Sequence, residues 1–306
     1  MPEDKYREMR RNFSPAEARS TGMTPDGGRM PDSRESGAVC MMGRLIPLIA
    51  FVASALLGLW PLAALAQDIN PDRPDLTTSA ELVPAGALQL ETGLEYERER
   101  VGGGPTRQQL TTQAVLRAGL LARLEVSLEG EPFVWQRAGD DARGSGDYTL
   151  ALKYRLYAPP EASDTPSVAL ALRPFVKLPV ARAPIGSERP DAGALLLVSL
   201  GLPWGLGLDL NAGAAAIGQT RPDGFIPQGV ASASLSWAAT ERLATIADFF
   251  FATKEERDGR ASLRATLAVV YKLTPRLALD AGMRTTLAGP GPDWSAFVGL
   301  SARFGR

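Results

Sequence analysis

Polar and apolar residues alternate with a period of two through nearly all of the chain after residue 86. In residues 88–96, leucine, threonine and tyrosine take the even positions, and glutamine, glutamate and glycine take the odd ones. The same separation recurs in residues 148–156 and 263–273. An α-helix would mix the two sets, whereas a β-strand places them on opposite faces. The pattern therefore predicts an all-β fold.

Twelve segments carry this alternation. They span residues 87–100, 107–119, 122–136, 147–157, 166–178, 193–202, 206–218, 229–238, 242–253, 260–273, 275–287 and 293–304. Most contain 10–14 residues, whereas a strand of a soluble protein usually has about 5–6 and a tilted strand that crosses a bilayer needs about 9–11. Short connections alternate with longer polar ones, the longer group including residues 219–228. These features are typical of a transmembrane antiparallel up-and-down β-barrel with both termini in the periplasm.

A secreted β-sandwich is the main alternative, because its strands also alternate. Three features favour the barrel: the long strands, an apolar face that is almost continuous in each strand, and aromatic residues near the strand ends, where a membrane interface would lie. The aromatic residues concerned are Tyr96, Trp135, Tyr154, Tyr157, Trp237, Tyr271, Trp294 and Phe304.

An uncharged apolar run of 21 residues, 46–66, precedes the alternating region. It follows Arg44 and ends in Ala-Leu-Ala, which is the pattern of a cleaved secretory signal peptide. A single-pass membrane anchor is the alternative, but Pro61 fits a cleavage region better. We expect 1–40 to be a disordered gene-model extension with translation starting at Met41 or Met42, 41–66 to be the signal peptide, 67–86 to be a periplasmic N-terminal segment or plug, and 87–306 to form the barrel.

The composition excludes several function classes. The chain has no histidine and one cysteine, Cys40, so it cannot build a Ser-His-Asp triad, a histidine or cysteine-cluster metal site or an intrachain disulfide. A formal net charge of −1 disfavours a nucleic-acid partner, which would require a basic surface. We expect neither an enzyme nor a bound cofactor or metal.

Three passages carry a family resemblance. They read DRPDLTTSAELVPAGALQLETGLEY at 72–96, GDYTLALKYR at 146–155 and RPFVKLP at 173–179. The first begins with an Arg-Pro-Asp motif, and its Pro-x-Gly turn leads into the first strand. Together they resemble a bacterial outer-membrane family named for the meta-pathway of phenol degradation, also called a transporter family. The resemblance covers most of the chain after the apolar run.

The resemblance implies a barrel in the outer membrane of a Gram-negative bacterium and passage of small solutes, with aromatic compounds among the candidates. Members usually end on an aromatic residue that serves the barrel assembly machinery. Here Gly305 and Arg306 follow Phe304, so that signal is displaced by two residues.

If the apolar face meets lipid, the other face lines a lumen. Its charged residues are the candidate site residues. They are Glu91, Glu95, Arg117, Arg123, Glu125, Glu129, Lys153, Arg155, Arg173, Lys177, Asp248, Arg264 and Arg284. Buried charges must pair or remain hydrated, so these residues either hold the shape of the barrel or select the solute.

The inward positions of the segments 193–202, 206–218 and 229–238 are small and weakly polar instead. A lumen that is charged on one wall and small-residue on another favours an amphipathic solute such as an aromatic acid. We therefore predict a channel or transporter for small solutes; the alternative is a structural or adhesive barrel with a filled lumen. Membrane lipid is one expected partner. Lipopolysaccharide is another, because Arg98 and Arg100 are candidates to contact its phosphates; the alternative is that they form an ordinary solvated strand end.

Overall fold

A computed structural model describes residues 68–100, 106–158, 167–220 and 222–305. Its β-strands are β1 Leu88–Arg100, β2 Thr106–Leu121, β3 Leu124–Ala138, β4 Asp140–Gly144, β5 Tyr148–Tyr157, β6 Ser167–Leu178, β7 Asp191–Gly201, β8 Leu206–Thr220, β9 Asp223–Ala238, β10 Leu243–Ala252, β11 Ser262–Thr274, β12 Leu277–Ala288 and β13 Trp294–Phe304. The predicted gene-model extension and signal peptide lie outside the described residues, as do residues 159–166 between β5 and β6.

The strands form one closed antiparallel sheet. Each barrel strand pairs with its neighbours along the chain, and β1 closes the sheet on β13 in the register Leu88 opposite Phe304 to Arg98 opposite Trp294. The short β4 only extends the end of β3, so twelve strands make the barrel wall. The predicted twelve-stranded barrel is confirmed, and closure excludes the β-sandwich.

The two faces of the sheet are opposite in character to those of a soluble domain. Outward apolar side chains are exposed, with Leu267 at 68% and Val298 at 56%, while inward polar side chains are buried, with Glu91 at 0% and Arg117 at 1%. An apolar outer band around a polar interior is the arrangement of a transmembrane barrel. Buried apolar clusters are small and form where the N-terminal segment, residues 68–86, touches the inner wall, as at Ala80 with Ala171 and Leu197.

The connections differ at the two ends. The near end, where Leu88 and Phe304 lie, has tight turns such as residues 122–123 and 275–276. The far end has the longer connections 179–190 and 253–261. The expected long connection at 219–228 is wrong, because β8 and β9 remain paired out to Thr220 opposite Asp223. Pro227 and Gly224 hid that extension in the sequence, since both residues are typical of loops.

Candidate functional site

The interior faces of β1, β2, β3 and β5 form one charged wall centred on Arg117. Arg117 Nε donates to Glu125 Oε1 at 2.8 Å, and Nη1 donates to Glu91 Oε1 at 3.0 Å. Both carboxylates and the guanidinium are almost completely buried. The antiparallel register places Lys153 directly opposite Glu125, with Nζ 4.0 Å from Oε1. Four of the predicted residues therefore form one connected ion cluster.

Other predicted residues form separate ion pairs around the interior. Arg284 Nη1 donates to Glu95 Oε1 at 2.7 Å, and the same oxygen accepts a bond from Ser295 at 2.6 Å. The remaining pairs are Arg173 with Glu129, Lys177 with Asp191, and Arg155 with Glu81 at 3.6 Å. A charge that is removed from water is tolerated when it is paired with an opposite charge. Each buried charge in these pairs has such a partner.

Two predicted residues lie in the interior but outside the ion cluster and the ion pairs above, and a third does not lie in the interior. Asp248 on β10 accepts hydrogen bonds from Thr77 of the N-terminal segment, and Arg264 lies beside Glu97 near the far end. Arg123 is different: it lies in the two-residue turn between β2 and β3, and it is exposed. The prediction placed Arg123 inward because it continues the alternation of β3, but that strand begins one residue later, at Leu124.

The N-terminal segment is bonded to the inner wall along its length. It begins at the near end, where Ile69 N donates to Pro275 O at 2.7 Å. It returns there at Val83, whose N donates to Glu125 Oε2 at 2.7 Å, and at Gly86, whose N donates to Gly119 O at 2.8 Å. Between these points its side chains and backbone bond to interior residues of β1, β2, β5, β7, β8, β10 and β12.

Arg73 of the Arg-Pro-Asp motif donates three hydrogen bonds to the inner wall. Its Nη2 donates to Asp280 Oδ1 at 3.2 Å, its Nη1 donates to Gln113, and its backbone N donates to Glu91 Oε2 at 2.9 Å. The guanidinium lies over Gly93 and Gly299, which are paired on β1 and β13, and a Cβ at either position would collide with it. Glycine at these two positions leaves the space that Arg73 occupies.

Two aspartates of the segment have opposite electrostatic surroundings. Burial alone would raise the pKa of Asp72, but the positive charges of Arg117 and Lys153 outweigh it, and the pKa is lowered. Lys153 Nζ donates to Asp72 Oδ2 at 2.9 Å. For Asp75, burial raises the pKa well above its usual range, a hydrogen bond from Ser234 opposes that rise, and the nearby carboxylates of Asp248 and Asp209 add to it.

The small-residue wall consists of the interior faces of β7, β8 and β9. Asn211 bonds the backbone of Thr78 twice: Oδ1 accepts from Thr78 N and Nδ2 donates to Thr78 O, each at 2.7 Å. Ser199 Oγ accepts from Ala80 N at 2.8 Å. The short side chains that predicted a passage for an amphipathic solute make room here for the backbone of the N-terminal segment.

A cavity of about 740 Å³ lies at the far end of the barrel, and we call it the vestibule. Thr149, Phe175 and Ile217 line it on the strands, together with the Lys177–Asp191 ion pair. Its rim includes the exposed residues Glu255, Glu256 and Asp258 of the connection between β10 and β11. The vestibule therefore combines apolar, uncharged polar and charged surface.

Sequence reasoning missed Gln113 and Phe297, which both point inward. Gln113 donates to Glu95 at 2.6 Å and accepts from Arg73, and the Arg284 guanidinium lies 5.3 Å from the centre of the Phe297 ring. Neither carries a charge, so a search for charged inward positions passed over them. Their place in the alternation was the available signal.

Within the described ranges, no helix has the length and apolar character needed to cross a membrane. The same residues include no group of three or more acidic or cysteine side chains placed to hold a metal ion.

The closed barrel, its apolar outer band and its charged interior define the class of protein: an outer-membrane β-barrel of the kind that channels and porins form. Within that class, the chain belongs to the family described as "Putative MetA-pathway of phenol degradation", which matches residues 71–304. The family resemblance carried by the three sequence passages is thereby confirmed. A comparison with curated proteins found no match.

Several solved structures of outer-membrane proteins resemble this chain. The crystal structure of an outer membrane channel from Pseudomonas putida F1 is similar with a TM-score of 0.59 and 14% identity, covering 78% of this chain and 100% of that chain. The NanC porin gives a TM-score of 0.48 and 9% identity over 70% of this chain and 98% of its own. The CymD monoaromatic hydrocarbon channel gives 0.38 and 10% over 73% and 89%. At 14% identity, the likeness to the Pseudomonas putida channel concerns the fold alone.

Proposed function

We propose that this chain is a channel in the outer membrane of a Gram-negative bacterium and that it admits small solutes at its far end. The observation that carries this proposal is the vestibule of about 740 Å³, which opens over a polar, charged interior. Small-molecule sites usually have a volume of about 300–1,000 Å³. We also infer that the chain is not an enzyme, since it has no histidine and shares its fold with an outer membrane channel.

The vestibule lining favours solutes that combine an apolar ring with a polar group, such as aromatic acids. Phe175 and Ile217 offer apolar contact, while Thr149, Gln228 and Lys177 offer hydrogen-bonding groups. Pockets that bind small molecules usually combine an apolar lining with a few placed polar groups. Lys177 and Asp191 carry opposite charges, so the strand residues of the vestibule favour neither anions nor cations.

A structural or adhesive barrel with a filled interior is the second candidate function. One observation favours it: the N-terminal segment is bonded to both walls of the interior, from Asp72 on the charged wall to Thr78 on the small-residue wall. In that case the buried ion pairs maintain the shape of the barrel and do not select a solute.

Three partners follow from the proposed location. The exposed apolar band meets membrane lipid, and the barrel assembly machinery receives the chain through β13, which ends at Phe304. Lipopolysaccharide is the third partner: Arg98 is exposed at the far end of β1, while Arg100 donates to Asp293 at 2.8 Å, so a phosphate would compete with that carboxylate for Arg100.

Planar-bilayer conductance of the protein purified from outer membranes tests the main proposal, with heat-modifiable gel mobility as the check on folding. Steady single-channel steps are expected. A folded barrel that stays silent at every pH would overturn the channel proposal and favour the filled barrel. Liposome swelling then tests the solute class: faster swelling is expected for aromatic acids than for sugars of matched size, and equal swelling would contradict it.

A further inference from the structure

The N-terminal segment meets the interior through two aspartates that are only three residues apart but are compensated differently. Asp72 has two cationic partners, Lys153 at 2.9 Å and Arg117 at 3.2 Å. The carboxyl of Asp75 has a neutral hydroxyl, Ser234, and two further carboxylates around it. The first aspartate is held as an anion by its partners, and the second is not.

The register of the sheet explains why the three carboxylates meet. Ser234 on β9 lies directly opposite Asp209 on β8 and directly opposite Asp248 on β10. Side chains in such pairs have Cβ atoms about 4.5–5.5 Å apart, so Asp209 and Asp248 flank Ser234 on one level of the wall. Asp75 reaches this hydroxyl from the segment, and the carboxyls of Asp209 and Asp248 both act on its carboxyl.

The cations beside this group are already engaged. Arg73, two residues away, pairs with Asp280 at 3.2 Å. Arg284 on β12 pairs with Glu95 at 2.7 Å and donates to Pro74 O at 3.3 Å. Asp248 Oδ2 is buried without a hydrogen-bond partner among the described residues, and none of the acidic groups there is arranged to hold a metal ion. An unpaired buried carboxylate is costly, and a proton removes that cost.

We infer that Asp75 is a proton-binding site. Its protonation makes the attachment of residues 75–80 to the small-residue wall, which we call the seating of the segment, depend on pH. With the proton bound, the carboxylic acid lies beside Ser234 and the segment stays on the wall. When the proton leaves to solvent, a negative charge remains beside the side chains of Asp209 and Asp248, and residues 75–80 detach from the wall. The consequence for conduction rests on the proposed channel function, whereas the seating of the segment does not.

The direction of the pH effect follows from the two aspartates. The pKa of Asp75 is raised in the seated state, so its stabilisation is complete below the unseated value of about 4 and is lost as pH rises through the seated value. The pKa of Asp72 is lowered, so its stabilisation is present above about 4 and is lost only as pH falls below that. Raising the pH from about 5 to about 9 therefore loosens the segment at Asp75 and leaves Asp72 paired.

Amide hydrogen exchange of the purified protein measures seating without any reference to transport. The amides of Thr77, Thr78 and Ala80 are bonded to the β7, β8 and β10 side, while the amide of Val83 is bonded to Glu125 on the charged wall and serves as the reference. After correction for intrinsic exchange, we expect the exchange of the first three relative to Val83 to rise by up to roughly tenfold per pH unit until the pKa of Asp75 is passed.

Two variants test the residue. Asp75→Asn keeps the shape and cannot ionise, so exchange should stay low and independent of pH. Asp72→Asn removes a compensated charge, so exchange should rise at every pH while the dependence on Asp75 remains. Persistence of the pH dependence in Asp75→Asn, or its absence in the wild-type protein, would overturn the inference.

A parallel conductance measurement separates this inference from the proposed function. If exchange depends on pH through Asp75 and conductance rises with it, both stand. If exchange depends on pH through Asp75 but no current flows at any pH, the proton site stands and the channel proposal falls. If current flows while exchange ignores pH, the channel proposal stands and the proton site falls.

Discussion

The two walls of the barrel hold the same segment by different chemistry. The charged wall uses long side chains that form a buried ion cluster, with Arg117 between Glu91 and Glu125 and with Lys153 on Asp72. The small-residue wall uses short neutral side chains, Asn211 and Ser199, that bond directly to the backbone of residues 78–80. One wall fixes the segment through charge, and the other through its backbone.

The two walls are expected to respond differently to the removal of a single side chain. Removing one member of a buried ion cluster leaves its partners as uncompensated charges, so the members depend on one another. Removing one neutral hydrogen bond costs only that bond and the desolvation of what remains. The segment is therefore firmly anchored near Asp72, Arg73 and Val83, whereas the stretch between them is the part that can detach.

The largest effect is expected at the centre of the charged wall. Arg117→Ala leaves the buried carboxylates of Glu91 and Glu125 without their guanidinium, which should lower the free energy of unfolding by about 3–5 kcal/mol. Denaturant unfolding of the folded barrel in detergent measures it. Arg123→Ala is the matched control, because Arg123 is exposed in a turn and should change the value by less than about 0.5 kcal/mol. Equal effects of the two substitutions would contradict the assigned wall.

A smaller effect on stability is expected where the N-terminal segment contacts β1 and β13, the two strands that close the barrel. A Cβ at Gly299 would collide with Asp280 Oδ2 and lie 2.8 Å from Arg73 Nε, so Gly299→Ala should displace the Arg73–Asp280 ion pair at a cost of about 1–3 kcal/mol. Exchange of the Asp72 and Arg73 amides, which both donate to Glu91, should rise, while the strands themselves still form. Gly229→Ala is the control, since its Cβ would meet only Thr253 Cγ2, at 3.6 Å. Unchanged exchange in Gly299→Ala would show that Arg73 does not depend on the two glycines.

The sequence predicts the barrel wall well and the interior only in part. Strands follow from local alternation, which lipid on one side and a polar interior on the other impose on each residue in turn. Ion pairs require the register between strands, and that register shifts at bulges such as the one near Gly119. The sequence could therefore place Arg117 and Glu125 on one face but could not pair them.

The N-terminal segment was the least predictable region. It has no periodic pattern, and its position is set by contacts far apart in the chain, such as Arg73 with Asp280, which are 207 residues apart. The charged strand β4 was also missed, because Asp140–Gly144 has no apolar alternation. Where neither face of a segment meets lipid, the period-two signal disappears.

A more local effect is expected on the small-residue wall. Asn211→Ala removes both hydrogen bonds to the backbone of Thr78, and at about 1–2 kcal/mol this corresponds to a roughly tenfold faster exchange of the Thr78 amide. Global unfolding should change less than in Arg117→Ala. Ser236→Ala on the same wall is the control, because Ser236 donates to Gly207 O within the sheet itself, at 3.4 Å. A loss of global stability as large as that of Arg117→Ala would remove the distinction between the walls.

The smallest effect is expected outside both walls, at the rim of the vestibule. Glu255 and Glu256 are exposed, so their field is screened within about 10 Å at 0.1 M salt. Replacing both by glutamine should lower the cation-to-anion permeability ratio roughly twofold in low salt, and the change should vanish at about 1 M. Glu241→Gln, an exposed acid at the near end, should leave the ratio unchanged. Exposed charges act through solvent, so salt should remove their effect. A change that persists in high salt would mean that the rim carboxylates contact the permeating ion directly. The vestibule would then itself be an ion-binding site and not only the entrance to the interior.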